Sequence, residues 1–187
     1  DVLGVPLAVT ALLGGVIGTV VAGTLEYDTL QRLGVVPMLA VALIEEAAKL
    51  VVPAALLFSF YRRKPANGLV IGLACGAGFA VLETMGYAVV ALVESRGQLA
   101  AVDSTLLLRG LFSPAGHMAW TGLTAAALWQ AAARGWPGRA VGGLVGTYGL
   151  AVVLHTLWDS LDNLIAYVVL ACHRTWPARR DHSPPRP

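Results

Sequence analysis

Six ionisable residues lie inside stretches that otherwise consist of apolar residues: Glu45, Glu46, Glu83, His117, His155 and Asp159. Placing an acidic residue in the hydrocarbon core of a membrane costs at least ~2.5 kcal/mol, so such residues usually face the interior of a helix bundle and serve a function. Carboxylates and imidazoles act as general acids and bases and bind divalent metals. These six residues are therefore the candidate functional site.

The acidic pair at 45 and 46 is followed by a lysine at helical spacing. Lys49 lies four residues after Glu45 and three after Glu46, so on a helix it can pair with either carboxylate. One lysine compensates one carboxylate and leaves the other available as a general base, with Glu46 slightly preferred. The competing interpretation is an ion pair that only holds helices together.

The two histidines predict a second part of the same site. His155 and Asp159 are four residues apart and share one face of a helix, as expected for an imidazole oriented by a carboxylate. Together with Glu83, His117 and His155 make a three-ligand catalytic metal site that leaves a position for water. In the competing interpretations His117 is an interfacial residue and Asp159 caps a helix break. Glu83 has no local partner and requires one from another helix.

The composition places these residues in a membrane protein. Of the 187 residues, 57% are hydrophobic and 13% charged, and the mean hydropathy is +0.70, which leaves too little polar surface to cover a soluble globule. We expect an all-α, polytopic transmembrane helix bundle in the cell membrane. Residues 1–187 are expected to form a single domain that contacts the lipid bilayer and binds no nucleic acid.

The apolar segments predict five or six spans, which cover residues 2–24, 35–61, 68–93, 113–133 and 141–172. The first lacks a basic leader and is expected to be a retained helix rather than a signal peptide. Small residues on the third, Gly72, Gly76 and Gly78, allow neighbouring helices to approach closely. Residues 99–111 predict an interfacial helix, and 141–172 predicts one long helix or a broken one.

The basic loops predict the orientation of these spans. Segments 62–64 and 134–139 are basic and are expected in the cytoplasm, whereas the loops around 26–28 and 94–103 are expected outside. The basic tail, 174–187, lies outside for five spans and in the cytoplasm for six.

This topology places the ionisable residues at a common depth. At ~1.5 Å per residue, Glu46 lies ~16 Å and Glu83 ~15 Å from the outer ends of their helices. His155 lies roughly 24 Å from the cytoplasmic start of its helix, and His117 within about one turn of the outer end of its own. All four therefore fall in the outer half of the membrane.

The ordered motifs resemble those of the PrsW family of intramembrane proteases, which is related to the CAAX prenyl protease and bacteriocin-processing superfamily. They are EEAAK at 45–49, GFAVLE at 78–83, His117, and HTLWD at 155–159, so the resemblance covers roughly residues 35–163. Thr84 follows Glu83 where many relatives have asparagine, which is a departure from the family pattern.

The resemblance implies a hydrolase that cuts a single-pass membrane protein, such as an anti-sigma factor, near its extracytoplasmic side. Glu45, Glu46, Glu83, His117 and His155 match the catalytic positions of the family, with Lys49 and Asp159 in supporting contacts. The histidines and Glu83 either bind a divalent metal, with zinc expected, or orient water without one. The alternative function is a proton- or cation-coupled transporter. Two observations argue against it: the ionisable residues cluster at one depth, and no inverted repeat is evident.

Overall fold

The protein is all-α in a computed structural model, which describes residues 4–33, 37–59 and 64–175, with side chains in 7–33, 37–58 and 64–161. Its helices are α1 (Gly4–Leu33), α2 (Met38–Lys49), α3 (Val51–Ser59), α4 (Pro65–Glu94), α5 (Leu99–Ala133) and α6 (Gly138–Thr175). Within the described residues, three helices are long and apolar enough to cross a membrane: Leu7–Leu33, Pro65–Glu94 and Gly138–Leu161. The helical bundle predicted from the composition is confirmed.

Helix α1 is longer than the sequence predicts. The expected outer loop at 26–28 is helical and α1 continues to Leu33, because no glycine or proline interrupts the chain between Thr24 and Leu33. The prediction of a loop at this point is wrong, and Glu26 is brought onto the wall of the helix bundle.

Helix α5 joins two segments that were predicted to be separate. Residues 99–111 do not form an independent interfacial helix but are the first turns of α5, which runs through Pro114. A proline in a helix interior removes one hydrogen bond, a loss that packed helices in membranes tolerate. At ~1.5 Å per residue, His117 therefore lies about 27 Å from the start of α5. The prediction that it lies within about one turn of the outer end of its helix is wrong.

The span predicted at 35–61 is interrupted at Leu50, between α2 and α3. Pro53 lacks the amide that would bond to the carbonyl of Lys49, four residues earlier, and its ring crowds that carbonyl. At the interruption, the amide of Leu50 donates to the carbonyl of Ala47, three residues earlier, at 3.1 Å.

The backbone of α6 is unbroken from Gly138 to Thr175, so the broken-helix alternative for 141–172 is wrong. The tail from 176 onward lies outside the described residues.

Glycines bring α4 close to both of its neighbours. A Cβ atom on Gly72 would lie 2.5 Å from the carbonyl oxygen of Thr121 on α5, and one on Gly76 would meet the carbonyl of His117. On the opposite face, a Cβ on Gly78 would meet the carbonyl of Ala11 on α1. The predicted role of these glycines in close helix packing is confirmed.

Candidate active site

The polar residues of α5 form a buried stripe along one side of the helix. Arg109, Ser113, His117 and Thr121 recur every four residues and are all buried. Helices α4 and α5 are antiparallel neighbours, and side chains lean toward the start of their own helix. Glu83 on α4 and His117 on α5 therefore lean toward each other, although their backbones lie at different heights.

Lys49 occupies the centre of the site and is completely buried. Its Nζ atom lies 2.8 Å from Glu46 Oε1 and 3.4 Å from Glu45 Oε2, so the lysine contacts both carboxylates of its own helix, as the spacing predicts. Nζ also donates to Nδ1 of His117, 2.9 Å away on α5. Lys49 thus connects the acidic pair to one histidine.

His155 contacts both members of the acidic pair. Its Nδ1 atom lies 2.9 Å from Glu46 Oε1, whereas its Nε2 atom lies 3.5 Å from Glu45 Oε2 and 3.4 Å from Asp159 Oδ2. The predicted neighbour, Asp159, is therefore in contact, but Glu46 makes the shorter bond. Because Glu46 is shared between Lys49 and His155, its carboxylate is already engaged.

Glu83 has the partner on another helix that its burial requires. Its Oε2 atom lies 2.8 Å from Nη2 of Arg109 and 3.1 Å from Nε2 of His117. The guanidinium of Arg109 also lies over the ring of Tyr87, 3.7 Å from its centroid. Arg109 was not among the residues predicted from the sequence, where the available signal was a lone arginine in an apolar segment eight residues before His117, on the same helix face.

Aromatic rings enclose the two histidines. Trp120 stacks on His155 with a centroid distance of 5.1 Å, and the two histidine rings meet edge to face at 5.2 Å. Phe79 lies 5.7 Å from His117 and 4.3 Å from Lys49 Nζ. These rings form an apolar wall that limits the access of water to the imidazoles.

A cavity of about 400 Å³ adjoins the site and lies among α1, α2, α4 and α6. Glu45, Glu83 and Asp159 line it, together with Glu26 from α1, whereas Glu46 is not a lining residue. Glu26, predicted from the sequence to lie in an outer loop, was not among the predicted site residues. Of the acidic pair, Glu45 therefore faces the open space and Glu46 faces the protein.

Three side chains approach each other closely enough to bind one metal ion. Glu45, His117 and His155 offer ligand atoms that lie within 4.8 Å of one another. The donor set predicted from the sequence contains the same two histidines but has Glu83 in place of Glu45. Four buried atoms, Glu45 Oε2, Glu83 Oε2, His117 Nε2 and His155 Nε2, make ion-pair contacts at 2.8–3.5 Å but no well-aligned hydrogen bond among the described residues.

The model of one protein family, PrsW family intramembrane metalloprotease, matches residues 3–175 of this chain. The chain belongs to this family. No curated protein and no solved structure matches it. With its long apolar helices, this PrsW-family protein is an integral membrane protein and a peptidase, whose substrate is a protein in the membrane.

The family is one of metalloproteases, and the donors of this PrsW-family chain fit a divalent metal in type and spacing. Two imidazoles and a carboxylate form catalytic zinc sites that keep a position for water. Nδ1 of His155 donates to Glu46, which leaves the Nε2 lone pair available, as in metal-bound histidines. Nδ1 of His117 accepts from Lys49, so its proton lies on Nε2, and ligation through Nε2 would require the other tautomer, with the proton on Nδ1 and donated to an uncharged Lys49.

Proposed function

We propose that this protein cleaves single-pass membrane proteins of the anti-sigma-factor class, within the outer half of the cell membrane or just outside it. The observation that carries the proposal is the convergence of Glu45, Glu83, His117 and His155 in one buried ionic cluster, of which Glu45 and Glu83 line a cavity. Desolvating several ionisable groups inside a helix bundle is costly, so a function that uses them accounts for their retention.

We assign the metal-binding role to Glu45, His117 and His155, with zinc as the expected ion. When bound, such an ion supplies a Lewis acid that polarises the substrate carbonyl and lowers the pKa of water. The choice of Glu45 over the predicted Glu83 rests on the ligand atoms that lie within 4.8 Å of one another.

We assign the proton transfer to Glu83, which lines the cavity and contacts His117 at 3.1 Å. Its carboxylate receives the proton of the attacking water and delivers it to the leaving amine, the two roles of a general base and acid in peptide hydrolysis. Arg109, 2.8 Å from Oε2 of Glu83, holds the carboxylate in place. Glu46, the base preferred from sequence, does not line the cavity, and this is the ground for choosing Glu83 over it.

The remaining polar residues hold these groups in position. Glu46 accepts from Nδ1 of His155 and so orients its ring, and Lys49 neutralises Glu46. Asp159 contacts Nε2 of His155 from the cavity side. Replacing partners of this kind in metal sites typically costs 10–100-fold in metal affinity or activity.

The proposed topology is five spans in one domain, with α2 and α3 forming one span together. The basic turn of Arg134 and Arg139 is then cytoplasmic, and the ends of α1 and α4 near Leu33 and Glu94 face outside. The cavity opens along α1 and α4 toward those ends, since its lining extends from Thr19 to Glu26 and from Phe79 to Val90. This direction supports cleavage on the extracytoplasmic side.

A cleavage assay on purified protein tests the proposal. Single-pass membrane peptides are incubated with the wild type, Glu45→Gln, Glu83→Gln and Glu94→Gln, and mass spectrometry locates the cut. Glu94 lies at the exposed end of α4, so its variant is the matched control. We expect cuts in the outer half of the peptide that Glu45→Gln and Glu83→Gln abolish. Cuts on the cytoplasmic flank, or full activity of both variants, would contradict the assignment.

A further inference from the structure

We propose that the groove between α1 and α4 is the substrate-binding subsite beside the scissile bond, and that Glu26 selects a lysine or arginine side chain there. This inference rests on the proposed peptidase function and adds a substrate preference to it. Its basis is the packing of the two helices, the volume between them and the charges on its wall.

The groove exists because α1 and α4 are in close contact over only part of their length. The two helices run in the same direction, because Gly14 lies against Cys75 and the later Gly18 lies against the later Phe79. Beyond Gly18 the helices separate, and the cavity lies between Ala22–Glu26 on one side and Leu82–Val90 on the other. The catalytic carboxylate Glu83 lies on this wall, so a chain lying in the groove passes the reacting groups.

The size of the groove suits a short segment of substrate. One turn of α-helix, ~10 Å wide and ~5.4 Å high, occupies about 420 Å³. The cavity measures about 400 Å³, so it admits a few residues but not a spanning helix. Since one helical turn fits this volume, unwinding is required by the chemistry rather than by the size of the groove, because a peptide carbonyl bonded within a helix is shielded from attack.

The charge of the groove determines which side chain it favours. Among the described lining residues, four are acidic, Glu26, Glu45, Glu83 and Asp159, and none is lysine or arginine. Three of the four already contact a basic partner elsewhere: Glu45 contacts Lys49, Glu83 contacts Arg109 and Asp159 contacts His155. Glu26 lacks such a contact in the described part of the chain, and its buried Oε1 atom has no hydrogen-bond partner there.

A cationic substrate side chain supplies what Glu26 lacks. A buried carboxylate oxygen without a partner carries a desolvation cost that a donating ammonium or guanidinium group removes. Glu26 lies at the far end of the groove from Phe79 and Thr19, so the cation would lie on the outer side of the scissile bond. Complementary charge in this position favours the correct substrate and disfavours an acidic one.

Two glycines allow the groove to be filled without disturbing the fold. Gly23 and Gly86 both line the cavity, and a Cβ atom on either would meet nothing within 4 Å. Leucine at either position enters the groove and also favours the helix. Gly146 on α6 is an exposed helical glycine with equally open space and lies outside the groove, so Gly146→Leu is the matched control.

The test uses single-pass membrane peptides that differ only in having Lys, Leu or Glu at one position on the outer side of the cut. Binding is measured with the inert Glu83→Gln enzyme and cleavage with otherwise wild-type enzyme. We expect the Lys peptide to exceed the Glu peptide by at least about tenfold in kcat/KM, and Glu26→Lys to reverse the order. Gly23→Leu and Gly86→Leu should weaken binding of every peptide at least about tenfold relative to Gly146→Leu.

The two possible failures are distinguishable. In the first, the wild type cleaves the peptides, but neither Glu26→Lys nor leucine at Gly23 and Gly86 changes binding or cleavage. That result would overturn the proposed substrate groove and leave the proposed peptidase function intact. Peptide binding that depends on Glu26 and Gly86, without any cleavage by the wild type, would support the groove and overturn the proposed hydrolysis.

Discussion

Nη2 of Arg109 lies 2.8 Å from Oε2 of Glu83, across the interface between α5 and α4. Arg109 is buried and Glu83 is largely buried, and the two helices form an antiparallel hairpin whose turn includes Arg96 and Gly97 in left-handed conformations. The ion pair therefore connects the proposed catalytic carboxylate to the first half of α5, the part of the chain that the sequence presents as a separate segment.

Removing the guanidinium of Arg109 should destabilise the protein. Arg109→Leu leaves the charge of Glu83 without its partner, and breaking one side of a buried ion pair costs about 3–5 kcal/mol. We expect a lower unfolding temperature in detergent and a loss of cleavage. The double variant Arg109→Leu with Glu83→Gln should recover part of the stability but no activity; equal stability of the single variant and the wild type would contradict the ion pair.

The two adjacent glutamates should respond differently to the same substitution. Glu45→Gln removes a proposed metal ligand beside the cavity and should lower kcat by at least ~10²-fold together with bound metal. Glu46→Gln replaces the charged acceptor for His155 with a weaker neutral amide oxygen and should cost about 10–100-fold while most of the metal is retained. Measuring kcat and bound metal for the two purified variants checks which substitution costs more. A larger loss for Glu46→Gln than for Glu45→Gln would instead favour Glu46 as the catalytic carboxylate.

Metal removal should inactivate the enzyme reversibly. A strong chelator should abolish cleavage, and added zinc should restore it, because the proposed ligands on α2, α5 and α6 hold the ion only when folded together. His155→Ala should lose both metal and activity, whereas the exposed Glu94→Gln should keep both. Fully active protein that contains no stoichiometric metal would instead favour water activation by Glu45 and Glu83 alone.

Glycine packing between α4 and α5 should be sensitive to a single methyl group. Gly76→Ala places a Cβ atom against the carbonyl of His117, and relieving that contact moves the α5 backbone. Overpacking of this kind costs typically about 1–3 kcal/mol. We expect reduced thermal stability and reduced cleavage, since the displaced residue is a proposed ligand. Gly146→Ala, which meets open space, is the control and should be neutral or slightly stabilising.

Local features of the chain can be predicted from the sequence because they depend on near neighbours. The apolar runs determine that the chain is helical and lies in a membrane. The spacing of Glu45, Glu46 and Lys49 determines that their side chains can meet on one helix, and the structure shows this contact. The small side chains of Gly72 and Gly76 indicate close packing for the same local reason.

Other features were decided only by the tertiary structure, because they depend on which helices pack together and which face each one turns inward. Periodicity places both Glu45 and Glu46 near the interior, but only the position of α6 decides that His155 engages Glu46 and leaves Glu45 at the cavity. Likewise, Arg109 and Glu26 join the site because α5 and α1 continue as helices beyond their predicted limits. No local pattern contains that information, since the energy that selects one arrangement comes from contacts between residues far apart in the chain.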